Sequence, residues 1–295
     1  MSADQFVQYL ISGLTQGSIY ALVGLGFTII YAVTNIINFA QGEFVMLGGM
    51  LSFVLFDSLG IPLVPTLILS IIIATAIGAL LNILAIRPAK RASEVSLIII
   101  TIGASIFIRG VAGELWGVDH VSPAVFTGSK SIAFMGAYIH PQALWIIGTT
   151  AIVTVILHLF FSYTMVGKAL KACAINPQAA GLVGVNAKAM ALISFSLAAA
   201  LGATGGVVMA PLTLTSYTAG VMLGLKGFVA ASVGGFKSQI GAVIGGITLG
   251  VVESLAVGLD WGPFTSSYKD AIAMMVLLVI LLLRSGRLAA EERPS

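Results

Sequence analysis

Charge is what this sequence has least of. Asp, Glu, Lys and Arg make up 8% of its 295 residues, against about 25% in an ordinary soluble domain. With 58% hydrophobic residues, too little polar surface remains to cover a globule, which excludes a soluble protein. Cysteine is nearly absent: Cys173 alone excludes an internal disulfide and leaves the redox compartment unreported. His120, His140 and His158 are scattered singly, far from metal-ligand spacing, so no metal and no cofactor are expected. A phosphate-binding Walker A sequence is also missing. "VGKAL" at Val166–Leu170 has Gly-Lys but lacks the earlier glycine and the following Ser or Thr. No Gly-x-Ser-x-Gly nucleophile setting occurs. No catalytic residue and no enzyme activity are therefore expected of this chain, and its net charge of +3, carried in loops, points to no nucleic acid.

What is abundant is apolar sequence. Runs of roughly 20 residues, enough to cross about 30 Å of hydrocarbon, recur from end to end. They predict an all-α polytopic membrane protein with one transmembrane domain over residues 1–295. Nine spans are expected: Phe6–Tyr31, Ile36–Phe56, Leu63–Ile86, Val95–Ala112, Ala143–Tyr163, Ala189–Met209, Gly220–Gly235, Ile240–Leu259 and Ser267–Leu283. The seventh is short and glycine-rich, as a broken or re-entrant helix packed inside protein would be. The first is expected to be retained, because Met1–Gln8 has no Lys or Arg and the apolar run is too long for a signal peptide.

Basic residues in short loops orient such a chain. Arg87, Lys90 and Arg91 follow span three, Lys168, Lys171 and Lys188 follow span five, and Arg284, Arg287 and Arg293 follow the last. Nine spans put all three groups in the cytoplasm and the loop 113–142 outside; eight would break that agreement. "GEFVMLGGM" (Gly42–Met50) resembles "GFVAASVGGF" (Gly227–Phe236), and five spans separate the copies, so they would run in opposite directions. That is the arrangement of an inverted repeat; chance recurrence among 34 glycines is the alternative. Gly13/Gly17, Gly202/Gly206, Gly220/Gly224, Gly241/Gly245 and Gly246/Gly250 are each four apart, giving flat strips for close helix packing.

Four ionisable residues fall within apolar spans: Glu43, Arg109, Lys226 and Glu253. Arg109 and Glu253 lie toward the outer ends of their spans, and Lys226 lies in the short seventh. No carboxylate pair of the kind an ion-coupled carrier needs is evident. Polar residues instead gather in "NIINFAQGEFVML", Asn35–Leu47. One reading makes Asn38 the N-cap of span two, with Gln41 and Glu43 in a first turn that the helix dipole favours. The other makes Asn35, Asn38, Gln41 and Glu43, beside Gln16 and Tyr20 of span one, the border of a translocation path.

The loop 164–188 carries Lys168 and Lys171 and is broken at Asn176–Pro177. Proline at the first helical position with asparagine as its cap predicts a short helix through Ala179, Ala180 and Leu182, ended at Gly184. Such a helix suits a groove on another protein; an ordinary solvated loop is the alternative.

"GLTQGSIYALVGLGFTIIYAVTNIINFAQGEFVMLGG", "GKALKACAINPQAAGLVGVN" and "ASVGGFKSQIGAVIGGITLGVVE" resemble, in order, the N-terminal region, cytoplasmic coupling loop and C-terminal glycine-rich block of the LivH-type permeases. These are inner-membrane subunits of branched-chain amino acid ABC importers. The resemblance covers most of the chain but little of 113–142. It implies a multi-pass inner-membrane protein in contact with membrane lipid, a partner permease of the LivM type, two cytoplasmic ATPase subunits and a periplasmic binding protein. It also implies ATPase coupling through the loop bearing Lys168, Lys171, Asn176, Pro177, Ala179, Ala180 and Gly184. Two other readings remain: the same family with another cargo, such as urea, short amides or other amino acids, and a self-contained channel or carrier.

Overall fold

The computed structural model describes residues 2–89, 92–128, 130–134, 136–258 and six positions of the C-terminal segment, 270, 271, 274, 275, 278 and 279. The ninth expected span and Lys90, Arg91, Arg284, Arg287 and Arg293 lie largely or wholly outside these residues. Among them the fold is helical: α1 (Ala3–Thr34), α2 (Gln41–Phe53), α3 (Leu63–Leu81), α4 (Glu94–Trp116), α5 (Pro141–Tyr163), α6 (Met165–Ile175), α7 (Pro177–Leu182), α8 (Ala187–Met209), α9 (Ala219–Gly234) and α10 (Gln239–Gly258). Helices α2 and α3 each run on into a π-helical turn, Val54–Ser58 and Asn82–Ile86. Six of the described helical segments are long and apolar enough to cross a membrane. Helices α2 and α9 are shorter.

The ends follow local chemistry. Ser2 and Gln5 close a capping box on α1, and Ser93, His140, Thr164, Asn176 and Asn186 cap α4 to α8 with their side chains. Asn35 ends α1 in the left-handed conformation (φ 54°), which asparagine tolerates better than most residues. An addition that hydropathy did not foresee is a hairpin outside the helices, Ile132–Phe134 with Ala137–Ile139, turned at Gly136 (φ 79°). Gln8 at the start of α1 bonds to Tyr138 of this hairpin in both directions, at 2.8 and 3.2 Å.

Glycine strips build the core. Gly13 and Gly17 of α1 lie on the backbone of α10 at Gly250–Val251 and Gly246–Ile247, and Gly202 and Gly206 of α8 receive Phe44 and Val45 of α2. Gly241 and Gly245 meet Gly234 and Ala230 of α9. A methyl group at any of these positions would overlap a neighbour. In a bilayer, where lipid tails are as apolar as leucine, such close approach is what holds helices together.

Helix α2 does not start at the membrane surface. Its first residue, Gln41, bonds to the carbonyl of Ala198, midway along the 23-residue α8, and Glu43 bonds to Ser105, midway along the 23-residue α4. The chain therefore re-enters through 35–40 after α1, and α2 runs outward from inside the bilayer. Helix α9 mirrors it. Residues 210–218 re-enter from the opposite side, where Thr215 pairs with Val121, and α9 begins with Gly220 and Gly224 against Gly42. It then follows α1 toward the C-terminal end of that helix, Gly227 beside Val23 and Phe228 beside Phe27. The helices that carry the sequence repeat are thus two half-helices pointing in opposite directions. Their register differs from the expected one: "VMLG" recurs at Val45–Gly48 and Val221–Gly224, which aligns Gly42 with Thr218 and Gly48 with Gly224. The span expected over Ile36–Phe56 is corrected accordingly, because apolar "IINFA" is a re-entrant segment and not helix.

Candidate functional site

The N-termini of α2 and α9 meet at Gly42, Gly220 and Gly224, and an added methyl at Gly42 would overlap the carbonyl of Gly220. Neither helix has a side-chain cap. The residue preceding α2 is Ala40; Asn38, expected as the cap, instead accepts a bond from Ala40 N at 3.1 Å in a local turn. Asn38, Gln41 and Glu43 are all buried. Glu43 accepts a 2.8 Å bond from Ser105, while its other oxygen, Gln41 Oε1 and Asn38 Nδ2 have no partner among the described residues. The free Glu43 oxygen points at the N-terminus of α9, 2.6 Å from where a Gly220 methyl would be. A carboxylate there is favoured by the positive ends of both half-helices.

Beneath this junction lies an aromatic cluster. Phe39 and Phe27 flank Phe228 at 5.7 and 5.9 Å between ring centres, and Phe236 joins Phe228 to Tyr31 at 5.3 and 5.0 Å. Toward the outer side, Lys226 of α9 bonds to Glu253 of α10 at 2.6 Å and to the Tyr20 hydroxyl at 3.1 Å. Tyr20 donates to the second Glu253 oxygen at 2.9 Å and lies 3.3 Å from Gln16 Oε1; Asp270 sits 2.8 Å from Lys226. A Lys–Glu pair this deep is stable because each charge meets the other and a hydroxyl, and Lys226 meets the Asp270 carboxylate as well. Sequence reasoning had noted Lys226 and Glu253 separately; only the approach of α9 and α10 makes them a pair. Of the residues expected along a path, Gln16 and Tyr20 thus belong to this polar cluster, Asn38, Gln41 and Glu43 surround the junction, and Asn35 is exposed at the inner end of α1.

The loop 164–188 folds locally as its cap and proline predict. Asn176 Oδ1 accepts from Gln178 N and Ala179 N at 3.0 Å, α7 spans Pro177–Leu182, and Gly184 turns the chain with φ 90°. Lys168, Lys171, Asn176, Pro177, Ala179 and Gly184 are exposed. Ala180 is not: it is 3% exposed and packs with Leu170, Cys173 and Met190. Ala180 and Gly184 therefore do not form one outward face, because the helix stops before reaching Gly184. Beside these polar groups, α6, α7 and the residue after α7 turn large apolar side chains outward: Ile175, Leu182 and Val183 are 87%, 91% and 79% exposed.

Comparison with known proteins fits this architecture. Residues 9–281 match the model of the branched-chain amino acid transport system permease component. The chain is 33% identical to the high-affinity branched-chain amino acid transport system permease protein LivH of Salmonella typhimurium, over 97% of this chain and 96% of that one. It is 33% identical to the corresponding protein BraD of Pseudomonas aeruginosa, over 97% of each. A more distant relative, the autoinducer 2 import system permease protein LsrC of Shigella flexneri, is 29% identical over 97% of this chain and 82% of its own length. With a matching family model over nearly its whole length and relatives at one-third identity, this multi-pass membrane protein belongs to the family of permease components of branched-chain amino acid transport systems.

Proposed function

We propose that this chain is the permease subunit of an ATP-driven importer that moves branched-chain amino acids from a periplasmic binding protein to the cytoplasm. A partner permease of the LivM type would complete the membrane unit, and two separate ATPase subunits would hydrolyse the nucleotide. Cargo of this class is favoured because the LivH and BraD relatives are more similar to the chain than the autoinducer permease is. The observation that carries the coupled mechanism is the outward apolar surface of Ile175, Leu182 and Val183 on the cytoplasmic hairpin. Exposed apolar side chains beyond the bilayer call for a protein partner, and a self-contained channel has no use for one. Lys168, Lys171, Asn176, Pro177, Ala179 and Gly184 frame that surface, with Ala180 as its internal anchor.

The path is proposed to pass the α2–α9 junction, bordered by Gln16, Tyr20, Asn38, Gln41 and Glu43, with Asn35 at its inner mouth. Half-helix ends meeting inside a membrane are a common way to build a substrate site. The test is reconstitution of the chain with its neighbouring gene products in proteoliposomes. Leucine uptake that requires both ATP and the binding protein is expected. Uptake without nucleotide would favour a channel or carrier, and binding of another cargo by the secreted protein would reassign the substrate.

A further inference from the structure

A cleft of about 310 Å³ opens at the cytoplasmic end of the helices, between the inner end of α1, α5, α6 and the turn from α9 to α10. Lys171, Lys237 and His158 line it, and no Asp or Glu does. Among the described residues none of these three has an ion-pair or hydrogen-bond partner. Three basic side chains from three different elements converge on one concavity, and no described residue answers the charge of the two lysines. The rest of the lining divides by polarity: Ser238 and Gln239 offer hydrogen bonds, while Val33 and Ile240 are apolar. His158 also marks the depth. It lies five residues before the end of α5, beside Val155, Ile156 and Leu159, which are 57%, 58% and 48% exposed and face the bilayer.

We infer that this cleft binds the phosphate of an anionic phospholipid from the cytoplasmic leaflet, with Lys171 and Lys237 as its counter-charges and the acyl chains continuing along the apolar face of α5. Charge alone is also compatible with free phosphate. Continuity of the cleft with a bilayer-facing helix favours the lipid, and basic pockets between helices at the cytoplasmic side are suited to such headgroups. The site has a mechanical consequence. Lys171 belongs to α6 of the cytoplasmic hairpin and Lys237 to the turn that ends half-helix α9, so one bound headgroup joins the proposed coupling surface to the re-entrant half of the core.

The test uses the assembled transporter, purified in mild detergent, stripped of lipid and examined by native mass spectrometry. Phosphatidylglycerol should be retained by the wild type while phosphatidylcholine is not, a comparison that needs no variant. Lys237→Gln should bind phosphatidylglycerol roughly fivefold more weakly, the effect of one basic group near an anionic headgroup, and Lys237→Arg should keep it. Equal retention of both lipids, or no change in Lys237→Gln, would mean a nonspecific annulus and overturn the site. Equilibrium dialysis with radiolabelled phosphate separates the two sources. If free phosphate binds and phosphatidylglycerol does not, the lipid assignment fails.

Discussion

Glu43 and Lys226 are both ionisable residues deep among apolar helices, and their surroundings answer the cost of burial in different ways. Lys226 is matched by Glu253, and the Tyr20 hydroxyl bonds to both. Removing Lys226 leaves the Glu253 charge buried without its cation, a loss of about 3–5 kcal/mol, whereas removing both can be nearly neutral, because the Asp270 carboxylate that also meets Lys226 is exposed. Lys226→Met should therefore lower the thermal midpoint of the purified permease, and Lys226→Met with Glu253→Leu should recover most of it. If the double variant is as unstable as the single, the pair is not what stabilises this contact. Among the described residues Glu43 has no such matched partner: it accepts one bond from Ser105 and faces the half-helix ends. Glu43→Gln keeps the shape and removes the charge. In an assembled complex it is expected to reduce uptake several-fold while ATP hydrolysis persists. Normal uptake at matched expression would leave Glu43 with a purely structural part.

At the scale of elements, what was legible in the sequence is what depends on neighbours along the chain. Asn176–Pro177 announces α7 because cap and proline act within one turn, and the five glycine pairs announce tight contacts because their spacing is that of a helix face. Re-entry was hidden: "IINFA" is as apolar as a span, and only packing against the middle of α8 and α4 shows that α2 starts inside the membrane. The inward turn of Ala180 was equally hidden, since a six-residue helix with adjacent Ala179 and Ala180 has no periodicity to say which faces in. This sets a prediction about the hairpin. Leu182→Glu changes an exposed position, so the permease should reach the membrane at normal levels but fail to co-purify with its ATPase. Ala180→Glu puts an unpaired charge into the packing of Leu170 and Cys173 and should instead lower the amount of folded permease. Normal ATPase retention in Leu182→Glu would remove the proposed docking surface.

For the molecule as a whole, the fold turns a charge pattern into a geometry. Arg87, Lys168, Lys171, Lys188 and Lys237 all sit at the ends of helices opposite the hairpin at Ile132–Ile139, which packs on the start of α1. Because α2 and α9 re-enter from opposite sides, neither disturbs this separation, and we propose that the positive ends face the cytoplasm. The chain's own Cys173 makes the assignment easy to test. It is 2% exposed, and burial pushes its thiol above the ordinary cysteine range. Little thiolate is then present near neutral pH and background labelling should be low. In intact cells, a cysteine replacing exposed Lys130 should react with a membrane-impermeant maleimide. One replacing exposed Lys188 should react only after the membrane is opened. Raising the pH should speed both introduced cysteines well before Cys173 responds, because exposed thiols ionise first. Labelling at Lys188 from outside would invert the molecule. It would put Leu182 and Val183 on the wrong side of the membrane for any ATPase, so the orientation and the coupling proposal stand or fall in the same experiment.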